Sequence, residues 1–465
     1  MERLSSQVVS FVVSIVIARL LFPDEYGVVA LTLIFINLAD SLVSSGIGSA
    51  LIQKKNADDL DSYTLFVSGM VLSVILFGIL FACAPLIADL YGNPLVCDVI
   101  RVMSLRLPIA FYNSIQQAIV SRRLQFKKFF YSTVAGTIIS GILGIWMAYD
   151  GYGVWALVAQ YISNTVINTL TLQFIIHWTP RFKFSLERLN GMISFVWKIM
   201  GTGFIGSLFA QLQGFVIGFR YNPAELAFYN KGGHVPELIS ANFSSSLEGV
   251  LFPVMSKFQD DIPRIRKALQ TSMQTCSLIV FPLMTILFVI SDKLILLLLT
   301  EKWKECIPYM QISCVLQCFS ILNMANLQAI KAVGNGGTLL KLEFVKKPLL
   351  VLFIIIGMQF SALAIAFSIA AYSLFALLIN SYPNKTLFDY GFFRQLFDIL
   401  PILCISIIMG LLINCIDYLN FSLLVSMIIQ VLAGAFFYLL ICHIVKLNSF
   451  VYLEKSIIEY VKQKF

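Results

Sequence analysis

A chain of 465 residues that is 58% hydrophobic and only 12% charged, with a mean hydropathy of +0.85, is not an ordinary water-soluble domain, since those are roughly half apolar and about a quarter charged. Apolar runs of about 20 residues recur along the whole length, each long enough for a hydrocarbon core roughly 30 Å thick, and none shows the alternation of a barrel strand, so the expectation is an all-α polytopic membrane protein of about 14 transmembrane helices. The net charge of +8 does not point to nucleic acid, because the lysines and arginines collect in alternate loops, as the positive-inside rule requires.

The spans are expected near 4–22, 27–51, 63–89, 97–121, 129–149 and 153–177, then near 192–219, 233–256, 272–298, 305–331, 338–358 and 361–381, with a final pair near 396–416 and 420–444. The first run lacks a small-residue cleavage site and reads as a span, not a removed leader. The span at 233–256 holds His234, Glu237 and Glu248 among serines, so its polar face must look into protein or water. Basic residues follow every even span: Lys54 and Lys55; Arg122, Arg123, Lys127 and Lys128; Arg181, Lys183 and Arg188; and onward to the tail. Both termini are therefore expected inside the cell. No loop is long enough for a catalytic domain, and GNGGT at 334–338 lacks the Lys-Ser/Thr of a phosphate-binding loop. Nine scattered cysteines and three isolated histidines match no zinc or redox spacing. An enzyme is not expected, nor a cofactor or metal.

One motif occurs twice. In ARLLFPDEYG and GFRYNPAELAFYN an apolar run ends at an arginine, Arg19 or Arg220; a proline then stops the helix, Pro23 or Pro223; a glutamate follows, Glu25 or Glu225. Two helix–break–helix units about 200 residues apart suggest two similar halves. The expected organisation is an N-terminal lobe over 1–190, a C-terminal lobe over 191–385, and a final helix pair with its tail over 386–465.

Charged and strongly polar residues inside spans mark a functional face or a structural pairing. Asn37, Asp40 and Ser44 form one stripe on span two. Asp40 precedes Lys54 by about thirteen residues, roughly 20 Å, which puts it near mid-membrane as a candidate ion-coupling carboxylate or an acid paired with a neighbouring helix. Arg106 has no acid within one turn and is a candidate cavity cation, whereas Arg101 has Asp98 one turn before it, and a local ion pair is expected there. Arg19 and Arg220 read either as snorkelling anchors or as a shared cationic site. Gln160 and Asn164 on span six and Gln211 on span seven suit the many weak hydrogen bonds a sugar needs; they equally suit helix packing in a membrane.

The segments ARLLFPDEYG, SGIGSALIQKK, IADLYGNP, QQAIVSRRLQFKK, GYGVWALVAQ, WTPRFKFSLERL, AELAFYNKG, VLFPVMSKFQDD and EKWKECIPYMQI, in register from about residue 3 to 335, carry a family resemblance. The chain resembles the polysaccharide transporters of the multidrug/oligosaccharidyl-lipid/polysaccharide exporter superfamily, specifically bacterial oligosaccharide flippases of the colanic-acid-exporter type. That resemblance implies two six-helix lobes around a cavity open to one side at a time, with cations facing a diphosphate. It implies export of undecaprenyl-diphosphate-linked oligosaccharide across the bacterial inner membrane, with lipids and other polysaccharide assembly proteins as partners. Arg19 and Arg220 carry over as motif cations; Arg106 and Asp40 rest on the reading of the residues. Family members usually have a basic segment before the first span, whereas here Met1 opens almost directly into it, a departure that leaves the length of the first span open. A drug/cation antiporter of the same superfamily is the alternative; it needs mainly cavity acids, and three arginines against one mid-span Asp40 favour the flippase. A membrane polymerase or ligase would bring a sizeable outer loop, and none is present.

Overall fold

The computed structural model describes residues 2–54, 58–419, 421–447, 450, 451 and 454, and among them the chain is helical with no strand. Its first unit, Met1–Ala227, comprises α1 (Glu2–Leu20), α2 (Pro23–Gln53), α3 (Asp59–Tyr91), α4 (Pro94–Ser104), α5 (Arg106–Arg122), α6 (Lys127–Tyr149), α7 (Val154–Ile176), α8 (Leu186–Arg220) and the first turn of α9 (Pro223–Lys257). The second unit, Phe228–Phe465, holds the rest of α9 followed by α10 (Ile262–Val289), α11 (Ser291–Leu299), α12 (Cys306–Ala332), α13 (Gly336–Gly357), α14 (Ala362–Phe388), α15 (Phe392–Asn414) and α16 (Leu423–Val445). These helices fall at the fourteen expected places once α4 with α5, and α10 with α11, are each taken as one span broken once, at Leu105 and Ile290. Among the described residues, nine helical segments are long and apolar enough to cross a membrane by themselves. The others carry polar residues along part of their length, such as Gln160, Asn164 and Asn168 on α7 or Lys341, Glu343, Lys346 and Lys347 on α13.

Several helices start well before their hydropathy boundaries. The helix α8 starts at Leu186, six residues before the expected span at 192, and α10 at Ile262, ten before 272. Hydropathy locates lipid, whereas a helix starts where its first N–H groups find acceptors. Ser185 and Asp261 supply those acceptors, their side chains bonding to the N–H of Arg188 and Arg264.

The repeated motif forms two matching breaks. Pro23 and Pro223 each occupy the first turn of the new helix, where the missing N–H costs nothing. In the first copy the Phe22 N–H donates to Glu25 Oε2 at 2.7 Å; in the second the Glu225 N–H donates to Asn222 Oδ1 at 2.8 Å. Each is one half of a capping box. The breaks also touch: a Cβ on Gly27 would lie 2.0 Å from the Pro223 carbonyl oxygen. From there α2 and α8 run antiparallel in close contact, Gly218 against Leu31, Gly214 against Ile34, Gly203 against Ser45, and Gly46 against Val196 and Met200. Small residues allow such an approach in lipid, where packing and not water drives association. Because backbone blocks the added methyl, Gly27→Ala is expected to cost about 1–3 kcal/mol, read as a lower Tm of the purified protein in detergent.

In the second unit several buried polar residues bond to one another across helices. Asn326 of α12 exchanges hydrogen bonds with Gln395 of α15 at 3.0 and 2.8 Å and also accepts from Asn384 of α14. Lys293 of α11, almost fully buried, meets Asp417 at 2.9 Å, and the same carboxylate accepts from Ser426 and Gln430 at the start of α16. On α9, Glu248 accepts from Gln328 at 2.9 Å.

Candidate functional site

The polar stripe of α2 is intact: Ser44 Oγ donates to Asp40 Oδ1 at 2.9 Å, and Asn37, Asp40 and Ser44 are all half-buried. Among the described residues no cation lies within ion-pair distance of Asp40. The stripe is roughly a third of a turn round from the α2 face that packs on α8. Since Ile34 opposes Gly214 and Ser45 opposes Gly203, the antiparallel register puts half-buried Gln211 of α8 level with Asn37.

Arg106 opens α5 at the break after α4, half-buried, with its Nε donating to Thr165 Oγ1 of α7 at 3.0 Å. No carboxylate pairs with it among the described residues. The helices α2 and α5 run in the same direction, Gly48 lying beside Ser114 and Ala118 while Arg122 reaches the Leu51 carbonyl at 3.1 Å. Counting back along both helices places Arg106 within about one turn of the height of Asp40. Folding of the first unit thus brings a cation, an acid and neutral amides to one level from three helices.

Other candidates lie elsewhere. Gln160 packs against Gly144 of α6, and Asn164 Nδ2 donates to Ser140 Oγ of α6 at 3.2 Å, so these two amides face a helix neighbour. Arg19 and Arg220 are exposed, each in the last turn of the helix that leads into one of the touching breaks. Arg101 departs from its expected ion pair: no bond to Asp98 forms, and the guanidinium sits over the Phe81 ring, 5.0 Å from its centroid. The ring belongs to the neighbouring helix α3, and its face attracts the guanidinium through the ring quadrupole.

Sequence reading missed Asp61. It is fully buried at the start of α3, where it meets Lys54 at the end of α2 at 2.6 Å and Arg188 of α8 at 3.5 Å. Asp58 beside it accepts from the Asp61 N–H at 2.9 Å and pairs with Arg188 at 3.3 Å; that backbone bond, with help from the guanidinium, holds the Asp58 carboxyl below the usual range. The signal was the run Lys54…Asp58…Asp61, which charge counting assigned to a solvated loop. Thr165, the partner of Arg106, was missed as well, because nothing local distinguishes it from the other hydroxyls of α7.

A family model described as "Polysaccharide biosynthesis protein" matches residues 16–308. Among characterised relatives, the succinoglycan biosynthesis transport protein ExoT of Rhizobium meliloti is 24% identical over 329 residues, 71% of this chain and 67% of that protein. The lipopolysaccharide biosynthesis protein WzxC of Escherichia coli is 24% identical over 302 residues, 64% of this chain and 61% of that protein. The matches thus span about two thirds of the length of these relatives. Among solved structures, the lipid II flippase MurJ in an inward closed conformation superposes with a TM-score of 0.76 at 15% identity, covering 96% of this chain and 98% of that one. An inward-facing multidrug resistance MATE family transporter of the MOP superfamily follows at 0.64 and 14%, covering 85% and 95%. The fold is shared with both.

Proposed function

We propose, from the premise that this chain belongs to the polysaccharide biosynthesis protein family, that it is a flippase. It moves undecaprenyl-diphosphate-linked oligosaccharide repeat units from the cytoplasmic to the outer leaflet of the bacterial inner membrane, by alternating access, for synthesis of lipopolysaccharide, capsule or exopolysaccharide. The names of the relatives and the shared fold support transport of lipid-linked glycan over catalysis. The observation that carries the reading is Arg106: a half-buried cation in a membrane helix, held by a neutral hydroxyl and without a paired acid among the described residues. Such a charge is costly unless an anion arrives, and a diphosphate is one that arginine's planar fork recognises through paired hydrogen bonds.

Asn37, Ser44 and Gln211 line the same level as partners for sugar hydroxyls, and Asp40 is the ion-coupling carboxylate. Arg19 and Arg220, ahead of the touching breaks, form a second cationic step for the diphosphate. The matched breaks support descent of spans one to six and seven to twelve from one repeat, with residues 1–190, 191–385 and 386–465 as lobes and closing pair. Both termini face the cytoplasm: cysteine labelling reaches the 53–61 and 258–267 loops only from inside, and labelling of either in intact cells would reverse the arrangement.

The deciding experiment expresses this chain in a bacterium whose own repeat-unit flippase is deleted. Restored surface polysaccharide, lost in Arg106→Ala at equal protein level, supports the assignment. Drug resistance without restored polysaccharide would favour the antiporter.

A further inference from the structure

At the end of the first unit where α2 stops and α3 begins lies a cavity of about 250 Å³ that the proposed transport site does not use. Arg122 and Arg123, from the end of α5, line one side; Asp58 and Asp59 line another; the buried indole of Trp178 forms a wall. Opposite charges sharing a rim ordinarily close into ion pairs. Among the described residues none joins these two sides: Asp58 turns to Arg188, and Arg122 donates to the Leu51 carbonyl. The side chains of Arg123 and Asp59 are exposed and make no ion pair or hydrogen bond with other described residues. The rim therefore presents a cation and an acid across a gap.

The gap lies at the membrane surface. The helix α3 has 33 residues, about 50 Å at 1.5 Å each, against a hydrocarbon core of roughly 30 Å. Its first turn reaches the headgroup layer, where tryptophan is also at home. A ligand for this rim needs an anionic and a cationic end on one small body. We propose that the cavity binds the phosphoethanolamine headgroup of a membrane lipid, its phosphate on Arg123 and Arg122 and its ammonium on Asp59 and Asp58. A primary ammonium offers three N–H donors to carboxylates; a choline headgroup offers none, and a phosphoglycerol headgroup has no cation. Basic pockets between membrane helices are known headgroup sites, and the acids on this rim turn that preference toward a zwitterion.

The test uses the purified full-length chain in detergent and follows thermal unfolding with added phosphatidylethanolamine, phosphatidylcholine or phosphatidylglycerol. A ligand that binds only the folded state raises Tm, and the more so the further its concentration exceeds its Kd. The expected result is a shift of several degrees with phosphatidylethanolamine, a smaller one with the other two lipids, and loss of the difference in the double variant Arg123→Ala/Asp59→Asn. That variant keeps the lipid-free Tm, since both residues are exposed. An equal shift with phosphatidylglycerol, or a phosphatidylethanolamine shift that survives the double substitution, would overturn the site. The same shift from soluble phosphoethanolamine at matched concentration would overturn the lipid as its source.

Discussion

Arg106→Ala is expected to cut export of the lipid-linked repeat unit by roughly tenfold to a hundredfold while leaving protein level and Tm nearly unchanged. The size follows from hydrogen bonds to a charged group, about 1.5–3 kcal/mol, converted at 1.4 kcal/mol per decade. The unchanged stability follows from the site: Arg106 is half-buried with Thr165 as its bonded partner and no acid, so removing it leaves no uncompensated charge behind. Arg106→Lys keeps the charge, loses the planar fork, and is expected to restore export only in part. Export at the unsubstituted level in Arg106→Ala would take this arginine out of the mechanism and leave Arg19 and Arg220 as its cations. Asp40→Asn, by contrast, is expected to change the dependence of export on pH or sodium more than its maximum.

The largest effect on stability is expected at the other end of the first unit. Asp61 is fully buried, and Lys54 and Arg188 are its cations. Replacing both cations with methionine leaves a buried carboxylate without compensation, at a cost of about 3–5 kcal/mol. Adding Asp61→Asn to that double variant removes the stranded charge and is expected to recover most of the loss. Either cation alone should cost less, because the other remains in reach of the carboxylate. Thermal unfolding of the unsubstituted chain and of the two single, the double and the triple variants decides between this account and simple loss of packing, which predicts no recovery in the triple variant. The ion pairs join the ends of α2 and α3 to the start of α8, and Gly46, packed on Val196 and Met200, lies two turns deeper on the same helix pair. A destabilised cluster should therefore loosen α8 first, visible as faster hydrogen exchange near Leu186.

By itself the sequence determined the all-helical membrane class, the positions of the spans and the two helix–break–helix units. These are properties of short stretches: an apolar run long enough for lipid, a proline that ends one helix and starts another, a glutamate placed to cap it. It also isolated Arg106 and the Asn37–Asp40–Ser44 stripe, because an unpaired charge or a polar row in an apolar helix is visible without neighbours. What each residue faces was decided only by the tertiary structure. Gln160 and Asn164 look no different in sequence from Gln211, yet packing turns the first two onto α6 and sets the third level with Asn37. Arg101 had an acid one turn away and took an aromatic ring instead. Asp61 read as loop charge and became the most buried acid of its unit, because burial depends on Lys54 and Arg188 arriving from helices that lie far from it along the chain or across a turn. Hydropathy is a sum over neighbours in sequence, whereas pairing and burial are set by neighbours in space, and only the folded chain brings the two together.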